Sequence, residues 1–191
     1  MDKSIYFDHA ATTAVKKEVL QEMLPYFTEK YGNASTVYRI GQVSKAALDD
    51  ARARVAKVFN CKPNEIFFTG CGSESDNWAI KGAARANKAK GNHIITTAIE
   101  HHAVLHTCKT LEKEGFEVTY LPVDEYGLVS ADDVKNAIKD NTILISIMYA
   151  NNEIGTIEPI AEIAEIAKEK GILMHTDAVQ AAGAVPIDLS K

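Results

Sequence analysis

The sequence predicts an α/β fold: a mostly parallel sheet with flanking helices. Two patterns predict it. From Ile66 to His175, short apolar runs rich in Ile, Leu and Thr alternate with longer segments of helical period. Glycine or proline stands at the joints, as at Gly91, Gly115, Pro159 and Gly171. The size agrees: 191 residues, 46% hydrophobic and 25% charged, make one globular domain or a large piece of a bigger protein.

Taken in order, Ile5-Tyr-Phe7 is an apolar run that gives way to a polar loop, Asp8 to Thr13. Lys16 to Leu24 carries Val19, Leu20, Met23 and Leu24 at helical spacing, and Pro25 ends or restarts that helix because it lacks an N–H. Residues 31–36 are loop. Gly41 to Phe59 is a long helix with Val43, Ala47, Ala51 and Val55 on one stripe. Ile66 to Thr69 is expected to be a strand, and Ser73 to Lys90 a helix closed by Gly91. His93 to Thr97 is a strand, His102 to Glu114 a helix closed by Gly115, and Glu117 to Leu121 a strand. Ser130 to Lys139 is a helix, with Ser130 as N-cap and Asp133 at the reciprocal position of a capping box. Thr142 to Tyr149 is a strand, Pro159 to Lys170 a helix with Gly171 after it, and Ile172 to His175 a strand.

A net charge of −5 argues against a nucleic-acid partner or an anionic membrane surface. The run Ile143 to Ala150, broken at Ser146, is far too short to span a bilayer, and Met1 to Ser4 open no signal-peptide core. Cys61, Cys71 and Cys108 are odd in number and have no paired spacing. This argues against disulfides or a zinc site and for a reducing cytoplasm.

Ligands of open α/β sheets bind beyond the carboxyl ends of the strands. Four expected strands run into polar clusters there: Gly70 to Asn77, Ala98 to His102, Ala150 to Gly155, and His175-Thr-Asp177. On a parallel sheet all four gather on one edge, which points to a composite site. Gly70-Cys-Gly-Ser73 opens a helix, where small residues and N-terminal amides suit a phosphate. It is neither a P-loop nor a dinucleotide fingerprint, and it reads equally as a tight turn with Ser73 as N-cap. His101 suits stacking on a flat ligand or moving protons, or else caps a helix. Asn151 and Asn152 are either turn residues or, for Asn152, a ligand contact. Asp177, in apolar surroundings, needs a cationic or donating partner unless it caps a helix.

These residues resemble a known family. Ile5 to Thr13, Gly70 to Asn77, Glu100-His-His-Ala-Val-Leu105, Asn151-Asn-Glu-Ile-Gly-Thr156 and His175 to Gly183 are similar to the motifs of cysteine desulfurases of the iron–sulfur-cluster branch. These are class V aminotransferase-group enzymes that use pyridoxal 5'-phosphate (PLP). The resemblance spans essentially the whole chain, in order and spacing. It implies a partial large domain of the aspartate-aminotransferase fold (PLP fold type I), with residues 1–14 an arm of the small domain and 15–191 an incomplete PLP-binding domain. It implies Gly72 and Ser73 at the phosphate, and His101 on the pyridine ring with a catalytic part in proton transfer. It also implies Asn152 at the cofactor and substrate edge, Asp177 at the ring nitrogen and Gln180 at the phenolic oxygen. The implied reaction converts L-cysteine to L-alanine and leaves a persulfide for an iron–sulfur scaffold or other sulfur acceptor, in a homodimer.

The sequence departs from the family pattern in places. The family often has Ser-Gly-Ala-Thr where Gly70-Cys-Gly-Ser73 stands, His where Tyr38 stands and Asn where His9 stands. Relatives run to about twice this length. The Schiff-base lysine in its Ser-Gly-His-Lys-like motif and the sulfur-accepting cysteine have no counterpart here, Lys191 being too early for the former. The chain alone is therefore expected to be inactive. Two other readings stay open: another class V aminotransferase or β-lyase, and a non-catalytic PLP-binding or dimerising module.

Overall fold

A computed structural model describes residues 5–190; Met1 to Ser4 and Lys191 lie outside the described residues. The chain falls into two compact units. One holds residues up to Phe68 together with the segment from Ile187, and the other runs from Thr69 to Pro186.

The first unit is helical: α1 (Lys17–Met23), α2 (Pro25–Thr28), α3 (Arg39–Phe59) and a 3-10 turn at Pro63–Glu65. Pro25 does restart the chain, at the first position of α2. Asn60, at φ 54°, ends α3 in the left-handed region that Asn tolerates better than most residues. The C-terminal segment returns to this point, with Leu189 N–H bonded to Phe59 C=O and Asn60 Nδ2 to Asp188 Oδ1. The apolar stripe expected of α1 is present but uncovered, and that of α3 is half-buried at Ala47, Ala51 and Val55. Val19, Leu20, Met23 and Leu24 are exposed, as is Val43.

The second unit is a three-layer α/β/α body. Its elements are α4 (Gly72–Asn87), β1 (His93–Thr97), α5 (His102–Lys113), β2 (Glu117–Leu121), α6 (Ala131–Ala137), β3 (Thr142–Ser146), α7 (Ile160–Lys170) and β4 (Leu173–His175). The four strands are parallel, in the order β2-β1-β3-β4. Strand alternation explains the layers. Ile94 and Leu144 pack with Ile80 and Ala84 of α4 and Val104, Cys108 and Leu111 of α5. Ile95 and Ile145 face the other way, onto Val134 of α6 and Ile163 and Ala167 of α7. Spacing of three or four residues along each helix puts these side chains on one stripe. Their full burial yields about 1.5–3 kcal/mol for each large side chain.

Three expectations change. Ile66 to Thr69 is not a strand: no strand among the described residues pairs with it, and apolar composition cannot replace a hydrogen-bonded neighbour. Regular β3 stops at Ser146, although Ile147 and Tyr149 continue to donate N–H bonds, to His175 and Asp177 C=O. Gly91 does not cap α4, which ends four residues earlier; a Cβ there would lie 2.2 Å from Asn141 O, so Gly91 serves a close backbone approach. The Ser130 N-cap is as expected, its Oγ accepting Asp133 N–H at 3.3 Å. Gly115 and Gly171 follow α5 and α7 in the left-handed conformation.

Candidate active site

The strand order makes the site. β1 is followed by β2 on one side, and the chain then crosses back to place β3 on the other. The crevice between the carboxyl ends of β1 and β3 is the topological switch point where such sheets bind ligands. The β1–α5 turn brings His101 to it, the β3–α7 connection brings Asn152, and the loop after neighbouring β4 brings Asp177.

Asp177 is 8% exposed and Asp76 4%. Asp76, His101 and Asp177 present donor atoms that all lie within 4.8 Å of one another. Asp76 is there because of helical period: it stands one turn before Ile80 and two before Ala84, on the buried face of α4. Its Oδ1 is 3.6 Å from His175 Nε2, and His175 Nδ1 shares a 2.8 Å hydrogen bond with the buried Ser146 hydroxyl. Asp177 Oδ1 accepts Val179 N–H at 3.0 Å, and Asp177 C=O accepts Tyr149 N–H at 2.8 Å. His101 caps α5, its Nδ1 accepting Ala103 N–H at 3.1 Å; in the neutral ring this leaves the proton on Nε2.

The glycine-rich loop adjoins this centre. A Cβ on Gly72 would meet Val179 Cγ2 at 2.7 Å, so the loop and the Asp177–Gln180 segment lie against each other. Ser73 is not the N-cap of α4, a position held by Cys71 with no side-chain cap bond; Ser73 sits inside the first turn, exposed. The first-turn amides of such a helix lack intrahelical acceptors and suit an anion. Glu74 Oε2 already accepts Gly70 N–H at 2.6 Å.

The structure thus brings His101 and Asp177 together, with Gly72 alongside. Asn152 is half-buried at the β3 end, its Nδ2 donating to Glu153 Oε1 at 2.9 Å. Gln180 is exposed, one residue beyond Val179. Sequence reasoning missed Asp76, although a carboxylate at the core-facing position of an amphipathic helix was a usable signal. It also gave no role to Glu100, which is 5% exposed. Burial pushes the Glu100 carboxyl up to about 7, against the opposing bonds from Thr97 and Met148; Asp177 and Glu158 add to the rise. Of the cysteines, Cys108 is core, its thiol pushed up to about 12 by burial, while Cys71 is exposed and Cys61 half-buried. No helix among the described residues is long and apolar enough to cross a membrane.

Comparison with known proteins places this geometry. The family model described as aminotransferase class-V matches residues 5–191. A cysteine desulfurase IscS of Clostridium botulinum is 65% identical over 189 residues, 99% of this chain and 48% of that protein. A cysteine desulfurase IscS of Methanosarcina thermophila is 64% identical over all of this chain and 47% of its own length. A solved structure of a NifS-like protein superposes with a TM-score of 0.94 at 44% identity, over 98% of this chain and 52% of that one. One described as SspA in complex with cysteine gives 0.94 at 43% identity, over 98% and 54%. The chain spans about half the length of the relatives it matches.

Proposed function

The chain belongs to the class-V aminotransferase family, and on that premise we propose that it is the N-terminal, PLP-binding half of a cysteine desulfurase. The observation that carries this is the convergence of Asp177 with His101 and Asp76 at the sheet's switch point. Two carboxylates gathered in a crevice suit a cationic or hydrogen-bond-donating ligand group. A protonated ring nitrogen is such a group, and class V enzymes are PLP-dependent.

The residues present fit that cofactor. Asp177 would hold the ring N–H, with Asp76 and His175 behind it. His101 would meet the ring and carry a proton at Nε2, its Nδ1 being engaged by Ala103. Gly72 and Ser73 would hold the phosphate with the first-turn amides and the Ser73 hydroxyl. Gln180 would donate to the phenolic oxygen, and Asn152 would border the substrate. When bound, PLP supplies an electron-accepting pyridine ring that stabilises negative charge at a substrate's α-carbon.

The proposed substrate is L-cysteine, converted to L-alanine; the cysteine in the SspA complex supports that choice. Sulfur would leave as a persulfide for an iron–sulfur scaffold or other acceptor protein, from a cytoplasmic homodimer. The Schiff-base lysine and the sulfur-accepting cysteine are assigned outside these 191 residues, so the chain alone does not turn over. Residues 1–14 are assigned to the small domain and 15–191 to the large one. PLP titration of the chain, followed by absorbance, tests the reading: Asp177→Ala should weaken binding by at least about tenfold, the equivalent of roughly 1.4 kcal/mol. Equal binding by wild type and variant would overturn it, as would no binding. Alanine production from L-cysteine by the chain alone would overturn the assignment of the lysine and cysteine.

A further inference from the structure

Two hydrogen bonds cross from the turn that carries His101 to the connection that carries Asn152. Glu100 Oε1 accepts Met148 N–H at 2.9 Å while also accepting the Thr97 hydroxyl at 2.7 Å. Asn151 Nδ2 donates to Ile99 C=O at 3.0 Å. Glu100 and Ile99 lie immediately before His101, and Asn151 immediately before Asn152. Glu100 is 5% exposed and Asn151 7%, so neither bond competes with bulk water.

Asn151 also organises its own loop. Its Oδ1 accepts Glu153 N–H at 2.8 Å and Ile154 N–H at 3.1 Å, its N–H donates to Thr156 C=O, and its C=O accepts Gly155 N–H. One side chain therefore shapes the Asn152 loop and grips the neighbouring turn. Glu100 Oε2 is buried with no partner among the described residues. Burial favours the protonated acid there, consistent with a carboxyl pushed up to about 7, and the neutral group keeps Oε1 as a double acceptor. Glu100 is not among the side chains of the Asp76, His101 and Asp177 cluster.

We propose that Glu100 and Asn151 are positioning residues that clamp the His101 turn to the Asn152 loop, so that the two ligand-facing segments move as one unit. Their relevance to catalysis rests on the PLP reading above. The clamp itself does not.

Amide hydrogen exchange of the cofactor-free chain, read by NMR, tests the clamp reciprocally. Glu100→Leu removes the Met148 acceptor and leaves Asn151 intact, yet exchange at Glu153 and Ile154 should rise by about tenfold. Asn151→Asp keeps an acceptor for those amides and loses the donor to Ile99, yet exchange at Ala103, bonded to His101 Nδ1, should rise similarly. Core amides of Ile95 and Leu144 should stay protected, which separates loosening of the clamp from unfolding. Glu100→Gln retains the acceptor and should behave like wild type. If Glu100→Leu does not fold, Asn151→Asp with the Glu100→Gln control still decides. Exchange that rises only at amides whose own acceptor was altered overturns the proposal. In a second arm with PLP added, the circular dichroism induced in the bound ring should weaken in Glu100→Leu and Asn151→Asp and return in Glu100→Gln. An unchanged band overturns the positioning role. Failure of the wild-type chain to bind PLP removes the cofactor reading and leaves the exchange result to stand alone.

Discussion

Asp76 and His175 meet at 3.6 Å, one from the second turn of α4 and the other from the end of β4. The contact fixes the floor of the site, because His175 is held in turn by Ser146. Asp76→Ala leaves a half-buried imidazole without this partner. It should cost about 1–3 kcal/mol, seen as a lower urea midpoint. Asp76→Asn preserves shape and a polar partner and should cost clearly less; an equal loss would show that the carboxylate charge, not shape or polarity, matters there.

Glu100 should impose a pH dependence on stability. Its carboxyl sits at about 7 in the folded chain against an ordinary value of 4.5. The folded state therefore binds more protons than the unfolded one between these values. Stability from this group is full below about pH 4.5, falls as pH rises through 7, and then levels off. The span corresponds to at most about 3 kcal/mol. Urea midpoints measured from pH 5 to 8 should fall in wild type, and Glu100→Gln should flatten that slope.

Gly72 and Val179 form a steric pair. Gly72→Ala brings a Cβ to 2.7 Å from Val179 Cγ2, but Val179 is 61% exposed and can shift. The single change should cost about 1 kcal/mol. Combining it with Val179→Ala should remove that cost, a coupling a double-mutant cycle measures directly.

Gly91 offers no such escape, because its obstacle is the Asn141 backbone. Gly91→Ala should cost about 3 kcal/mol, at the upper end for overpacking, and lower the thermal midpoint accordingly. A variant as stable as wild type would show that the 87–92 connection relaxes freely.

The legible parts of this molecule are those set by local pattern. The four strands of the sheet and the helices between them follow from alternation and period, and the gathering of His101 with Asp177 follows from parallel topology. Ile66 to Thr69 misleads because pairing is a property of neighbours, which the residues themselves do not encode. The stripe of Val19, Leu20 and Met23 marks a helix correctly but does not say what covers it. Asp76 went unassigned because its role depends on which turn of α4 reaches the crevice, and Glu100 because burial of a carboxylate is set by tertiary packing. Ser73 lies two residues inside the helix start, whose cap is Cys71, because helix starts are decided by a contest among adjacent residues.

The strand order has a kinetic side. β1 and β3 are neighbours, yet all of α5, β2 and α6 lies between them in the chain. The local β1-α5-β2 unit can form early, whereas the β1–β3 pairing closes a long loop and comes late. His101 acquires Asp177 as a neighbour only once that late pairing is made. On the proposed reading, cofactor binding would therefore report on the last stage of folding, and a population stalled before it would be compact, helical and blind to the cofactor.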